Sequence, residues 1–299
     1  MLDLNTPNEY LENVIKYYNL STGAYIRYYG EHFHFFLWVQ GKTKENAIKD
    51  TNDMFLIDGK LNAKSKVLDL GCGIGSLSLL IGSRYHCQIT GVNINKHQLE
   101  IARKRVQQKG IEVNFIQADI MKLGFGHQFD TCFYIDVEPH LPDKRKALRI
   151  INNTLKSGGK LVMTAWLQSE NPTLPQKEFL LKPFCRVAAF PYMETFRHYR
   201  QYFEKEGYKI IKFIDITKKV KKVVDYYYLL ALHLTNKYNS SIEMLNLVKD
   251  KTFLKTFIKA TGQQGLVKTA EGIFLGPIYA KLCYDADVFK IGYFVVEKK

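Results

Sequence analysis

The chain alternates between short continuous apolar runs and longer segments whose apolar positions recur every three or four residues, with polar or glycine-bearing joints between them. Val67-Leu68-Asp69-Leu70 is a run of the kind a buried parallel strand presents. After Gly71, Gly73 and Gly75 the spacing of Leu77, Leu80 and Ile81 becomes that of a helix, closed by Gly82–Tyr85. Gln88–Val92 reads as a second strand, Leu99, Ala102 and Val106 as a helix ending near Gly110, and Val113–Gln117 as a third strand. Phe129–Asp136 is a fourth strand, Leu148, Ile151 and Leu155 mark its helix, and Gly158-Gly159 turns the chain into a fifth strand, Lys160–Trp166. Phe196, Tyr199 and Phe203 mark another helix, Tyr208–Thr217 a sixth strand and Val288–Val296 the last. Upstream, Thr43–Gly59 is the helix leading into the first strand. Strands alternating with helices predict an α/β fold: a doubly wound, Rossmann-like sheet of seven mostly parallel strands.

Three stretches depart from this rhythm. Tyr17–Trp38 is too aromatic for an ordinary loop and too interrupted, by Gly23 and Gly30, for one clean helix; it is expected to roof the crevice at the strand ends. Pro172, Pro175, Pro183 and Pro191 punctuate Gln168–Met193, a loop or short-helix insertion. Between Thr217 and the last strand lies a long insertion with Lys218, Lys219, Lys221, Lys222, the run Tyr226-Tyr227-Tyr228 and helices through Ile242–Ala260, expected to cap the active site. The division is therefore an N-terminal lid at 1–60, a core at 61–217, a helical cap at 218–286 and a closing strand at 287–299.

The glycine turn is the first chemical signal. Glycines there let main-chain atoms approach a ligand closely, and a helix opening just after them offers unpaired N–H groups. The dinucleotide pattern G-x-G-x-x-G fails, because its third position falls on Ser76 or Ser78. The phosphate-loop ending Gly-Lys-Ser/Thr is also absent.

Composition narrows the class. The 299 residues are 46% hydrophobic, enough for a sizeable core, and no apolar run is long enough for a membrane span. Five scattered cysteines without paired metal spacing fit reduced thiols in a cytoplasmic protein. The net charge of +14 comes mostly from lysine, with no arginine-rich patch, zinc finger or RNA-reading aromatic motif. A solvated lysine surface accounts for it, an anionic small acceptor is its best functional reading, and nucleic acid is disfavoured. His32 and His34 alternate, but without a third ligand at a telling spacing no metal site is assigned. Association through the insertion is left open.

Asp69, Gly71, Gly73 and Gly75 match D-x-G-x-G-x-G, so the turn resembles motif I of the class I S-adenosylmethionine (SAM) methyltransferases. Tyr18, Asn19, Ser21, Tyr29, Gly30, Glu31, His32 and His34 are similar to the N-terminal segment of the tocopherol C-methyltransferase group, related to sterol and cyclopropane fatty-acid methyltransferases. GVNINKHQ looks like the sterol C-methyltransferase version of the second strand end, with Asn93 where most of the class carries an acid. The resemblance implies SAM as cofactor, held by Tyr18, Asp69, Gly71, Gly73, Gly75, Asn93, Ile94, Gln98, Asp119, Ile120 and Tyr134. It also implies proton-handling groups among Asp136 and His140, with Glu138 as second choice for the acid and Glu31 as a further candidate. Asp119 has helix capping as a rival role.

The expected activity is SAM-dependent methylation of a hydrophobic small molecule, most readily at carbon of an isoprenoid or other alkene or aromatic acceptor. N- or O-methylation, cyclopropane formation on a lipid, methylation of RNA, and a SAM-binding protein without activity are the alternatives.

Overall fold

The computed structural model describes residues 7–237 and 275–299. Seven strands form one sheet: β1 (Lys66–Leu70), β2 (Gln88–Asn93), β3 (Asn114–Gln117), β4 (Phe129–Tyr134), β5 (Leu155–Gln168), β6 (Tyr208–Asp215) and β7 (Phe289–Lys298), in the order β3-β2-β1-β4-β5-β7-β6. The first five run parallel, while β7 lies antiparallel to both β5 and β6. The order reverses between β1 and β4, the topological switch point at which open α/β sheets bind ligands.

Helices α1 (Pro7–Ala24), α2 (Lys44–Gly59), α3 (Ser76–Tyr85), α4 (Lys96–Gln108) and α5 (Lys144–Thr154) accompany the first half. Short helices α6 (Leu174–Gln176) and α7 (Lys182–Val187) fill the proline-rich insertion, followed by α8 (Phe196–Lys205) and α9 (Lys221–Lys237). Residues 275–285 are helical as well. On one face of the sheet Phe133, Val162 and Phe289 pack with α2, α7 and α9; on the other Cys132, Tyr134 and Phe294 pack with α5, α8 and Tyr10 of α1. Strand alternation sends neighbouring residues to opposite faces, which is why Phe133 and Tyr134 part company.

Several boundaries differ from the sequence reading. Helix α1 runs straight through Gly23, because burial of Tyr10, Val14 and Leu20 outweighs the roughly 1 kcal/mol a helical glycine costs. It continues as a π-turn, Tyr25–Tyr29, and stops at Gly30 with φ +94°, a conformation that favours glycine. Strand β4 ends at Tyr134, not Asp136, and β5 begins at Leu155, not Lys160. The helices expected through Ile242–Ala260 lie outside the described residues.

From Gly30 to α2 the chain is irregular but pinned. Phe35 N–H donates to Asp136 Oδ2 at 2.7 Å, Leu37 N–H to Thr51 Oγ1 at 2.8 Å and Trp38 N–H to the Lys219 carbonyl at 3.2 Å. This strap therefore crosses the strand ends, in the roofing position. Of the lysines after β6, Lys221 pairs with Asp225 at 2.5 Å and Lys222 Nζ lies 4.4 Å from the centre of the Trp38 ring. Among the described residues no helix is long and apolar enough to cross a membrane.

Candidate active site

The turn after β1 has φ of +67°, +55° and +77° at Gly71, Gly73 and Gly75. A Cβ on Gly71 would run into Val137, and one on Gly75 would press on Ala102 and Phe115 at 3.0 and 3.1 Å. One on Gly73 would meet only the Gly71 carbonyl oxygen, 4.0 Å away, and would project into a cavity. That cavity is lined by the glycine turn, by Asn93 and Ile94 after β2, by Asp119 and Ile120 after β3, and by Tyr10 and Tyr18 from α1. Asp69 sits at its base, buried, with Ser78 Oγ donating to it at 2.6 Å; burial pushes its carboxyl up to about 6.

The polar groups around this cavity are fixed by one another. Asn93 Nδ2 donates to Gln98 Oε1 at 2.8 Å and to the Gly73 carbonyl at 3.3 Å, and its carbonyl oxygen accepts from Asn95 N–H at 3.4 Å, which leaves that oxygen one lone pair to offer a ligand. Gln98 Nε2 donates to Thr22 Oγ1 at 2.9 Å, tying the β2 end to α1. Asp119 Oδ1 caps the turn that follows it, accepting from Met121 N–H at 2.9 Å, and also takes the Tyr10 hydroxyl at 3.2 Å. Capping and cavity lining are thus both realised.

A second cavity of about 120 Å³ lies beyond, walled by Tyr17, Tyr25, Tyr29, Trp166, Phe184 and Phe190 among others. Tyr18, Phe33, His34, Asp136 and His140 line both cavities. Asp136 has φ +52°, an uncommon conformation for a residue with a side chain. Its Oδ1 accepts from Thr164 Oγ1 and its Oδ2 from Phe35 N–H, both at 2.7 Å. Burial pushes its carboxyl above the usual range, against the lowering effect of those bonds.

His140 Nδ1 lies 3.2 Å from the Ala189 carbonyl, which can only accept, so the proton sits on Nδ1. Nε2 is then the bare nitrogen, and Tyr18 Oη donates to it at 2.8 Å. Burial pushes His140 down to about 4, so it stands neutral at physiological pH.

The methyltransferase domain family matches residues 61–233, more than half of the chain. The chain belongs to that family. Among curated relatives this methyltransferase is 26% identical over 211 residues to 24-methylenesterol C-methyltransferase 3 of Arabidopsis thaliana, covering 69% of this chain and 59% of the relative. It is 30% identical over 164 residues to cycloartenol-C-24-methyltransferase of the same plant, covering 54% and 49%. Among solved structures, the cyclopropane synthase MmaA2 from Mycobacterium tuberculosis superposes with a TM-score of 0.73 at 15% identity, covering 99% of this chain and 100% of that one. At that identity the likeness concerns the fold. The chain spans about half the length of the curated relatives it matches.

S-adenosylmethionine is the cofactor, and the first cavity fits it. The space above Gly73 admits a ligand against the main chain, Asn93 offers a carbonyl oxygen for a ribose hydroxyl, and Asp119 with the buried Ile120 offers a carboxylate beside an apolar surface. Of the residues expected to hold the cofactor, Tyr18, Asp69, Gly71, Gly73, Asn93, Ile94, Gln98, Asp119 and Ile120 line this cavity, while Gly75 shapes the turn from behind.

Other expected site residues lie elsewhere. Tyr134 is buried in the core with α5, α8 and Tyr10 of α1 and does not line the cavity, because the chain reaches the cavity wall only from Ile135 onward. Glu138 is buried behind the site, accepting from Trp166 N–H at 2.8 Å and from Tyr199 Oη at 2.6 Å, with burial raising it to about 7. Glu31 lies at the outer rim of the first cavity, its carboxylate paired with Arg105. His32 and His34 flank Asn52 rather than sharing a strand face.

The sequence reading missed Thr164, Lys144 and Arg105. Thr164 fixes Asp136 from the neighbouring strand. Lys144, fully buried, donates to the carbonyls of Pro139 at 3.3 Å and Leu141 at 3.0 Å, on either side of His140. Arg105 donates to the Ile74 carbonyl and Ser76 Oγ, both at 2.9 Å.

Proposed function

We propose that this methyltransferase moves the methyl group of S-adenosylmethionine to a carbon of a hydrophobic small molecule seated in the second cavity, an isoprenoid or another alkene or aromatic acceptor. The observation that carries the reading is the meeting of a glycine-turn cavity and an aromatic-walled cavity at Tyr18, Asp136 and His140. The sterol C-methyltransferase names of the curated relatives support carbon as the target. The cofactor supplies an electrophilic methyl on a sulfonium.

The chain's own residues then do four things. Gly71 and Gly73 let the donor lie against the main chain, and Asn93 and Asp119 orient it. The strap from Gly30 to Thr43 and helix α1 exclude water, which strengthens every electrostatic interaction inside. Tyr, Phe and Trp faces of the second cavity stabilise positive charge that develops on an alkene or aromatic acceptor, without capturing it. The proton displaced from the acceptor passes to the oxygen of Tyr18 as the tyrosine gives its own proton to His140 Nε2. Asp136 stays near by as the anionic counterweight, held by Thr164 and Phe35.

Calorimetry with SAM, followed by incubation of methyl-labelled SAM with fractionated hydrophobic metabolites, tests this. A labelled product with a new carbon–carbon bond, lost in Asp136→Asn, is expected. Label appearing on nitrogen or oxygen would sink carbon methylation. SAM binding with no transfer to any fraction would favour a binding protein without activity.

A further inference from the structure

Lys144 opens helix α5, and both its position and its burial run against its charge. A helix N-terminus carries the positive end of the backbone dipole, and an ammonium removed from water loses its hydration. The Lys144 side chain is wholly buried, and burial pushes its ammonium down from the ordinary lysine value, with Glu138 opposing. Helix stability does not call for a lysine here.

What surrounds the ammonium belongs to two segments. From the turn after β4 come the carbonyls of Pro139 at 3.3 Å and Leu141 at 3.0 Å and the Glu138 carboxylate at 3.9 Å. From the stretch between α7 and α8 comes the face of Tyr192, its centre 4.2 Å from Nζ. The same two segments hold the imidazole of His140. The turn carries it, and Ala189, left-handed at φ +56°, presents the carbonyl 3.2 Å from Nδ1. The Pro139 carbonyl lies in the peptide plane that enters His140, and Leu141 N–H, which donates to the Glu138 carbonyl at 3.1 Å, lies in the plane that leaves it. With both planes held, the direction of the His140 Cα–Cβ bond is fixed.

We propose that Lys144 is a positioning residue for His140: by clamping the Pro139 and Leu141 carbonyls it joins the turn to the Ala189 segment and keeps Nδ1 on the Ala189 carbonyl, with Nε2 turned to Tyr18. This deepens the reading above that His140 takes a proton from Tyr18, and rests on it. The carboxylate of Glu138, bonded to Trp166 N–H and Tyr199 Oη, balances the charge of the clamp without being part of it. The ammonium also works in the same direction through space: burial chiefly, and the Lys144 charge in addition, disfavour a second proton on the ring.

If Lys144 only neutralised a buried Glu138, removing both charges would restore the site. Protein labelled with ¹⁵N in its histidine rings and saturated with S-adenosylhomocysteine, with His140→Ala to assign the signals, separates the two roles. The parent is expected to show His140 in one neutral tautomer, its proton on Nδ1, and so is Glu138→Gln, which keeps the clamp. Lys144→Met leaves a buried carboxylate uncompensated and should melt at a lower temperature. Lys144→Met combined with Glu138→Gln should recover most of that loss, yet its two His140 nitrogen signals should move toward each other as the Nε2–H tautomer becomes populated. The parent lacking the Nδ1–H tautomer, or the double variant keeping it unmixed, would overturn the proposal. A double variant too unstable to bind S-adenosylhomocysteine would overturn it as well, since Lys144 would then hold the core rather than the ring. Failure of the parent to bind S-adenosylhomocysteine would instead strike at the proposed function.

Discussion

Tyr18 on α1 and His140 after β4 are 122 residues apart and joined hydroxyl to ring nitrogen at 2.8 Å, across the opening between the two cavities. The proton on His140 Nδ1, held by the Ala189 carbonyl, leaves Nε2 as the only site that can receive. Tyr18→Phe and His140→Ala are each expected to cut methyl transfer by about 100-fold or more while leaving SAM affinity within a fewfold of the parent. Because His140 is pushed down to about 4, the rate should hold steady from neutral pH downward and fall only as pH drops through about 4. An acid limb near 6.5 that His140→Ala removes would refute this.

The glycine turn separates stability from binding. Gly71→Ala places a methyl against Val137 at a positive φ and should lower the melting temperature by several degrees, since a left-handed non-glycine residue alone costs roughly 1–2 kcal/mol. Gly73→Ala meets no such wall, so it should melt closer to the parent yet lose SAM affinity, because its methyl occupies the cofactor's side of the turn. Calorimetry and thermal melts on the two variants give the comparison.

Asp69 gives a pH signature. Its folded value of about 6 lies above the model-peptide value of 3.8, so the folded state holds its proton more tightly. The associated stability is full below about 3.8 and is lost as pH rises through about 6. The span corresponds to roughly 3 kcal/mol at most. In Asp69→Asn, denaturant midpoints measured at pH 4 and pH 7 should show less loss on the alkaline side than the parent shows.

Arg105 ties the strap to the glycine turn: it bonds Ile74 and Ser76 on one side and pairs with Glu31 on the other, while Ser76 Oγ donates to the Glu31 carbonyl at 2.6 Å. Glu31 is largely exposed, so the ion pair is worth no more than about 1 kcal/mol and is screened by salt. Release of S-adenosylhomocysteine, followed by stopped flow, should quicken up to about fivefold in Glu31→Gln and lose part of its salt dependence. Unchanged release would show that this pair does not hold the strap.

The sheet was legible because β1 to β4 are short, apolar-rich segments separated by segments of helical spacing, and the first cavity was legible because its lining residues follow the ends of β1, β2 and β3 in order. Tyr134 misled because a strand-end position implies nearness to the cavity, whereas its side chain is buried in the core one residue before the lining begins at Ile135. Glu138 and Glu31 carry the same chemistry as Asp136 in the sequence; only burial behind Trp166 and pairing with Arg105 separate their roles. The placement of Thr164 against Asp136 depends on register between parallel strands, which no local pattern records.

One consequence of the strand order concerns biosynthesis. Strand β6 pairs with β7 alone, and β5 turns one of its edges to β7. On the ribosome both edges must wait until Phe289–Lys298 emerges, so the nascent chain carries two open, hydrogen-bond-hungry strands while residues 218–288 are still being made. The sheet closes in a late zipping step that joins β5 and β6 through a strand neither could reach earlier, and a ribosome stalled before that strand would leave a chain prone to edge-to-edge association.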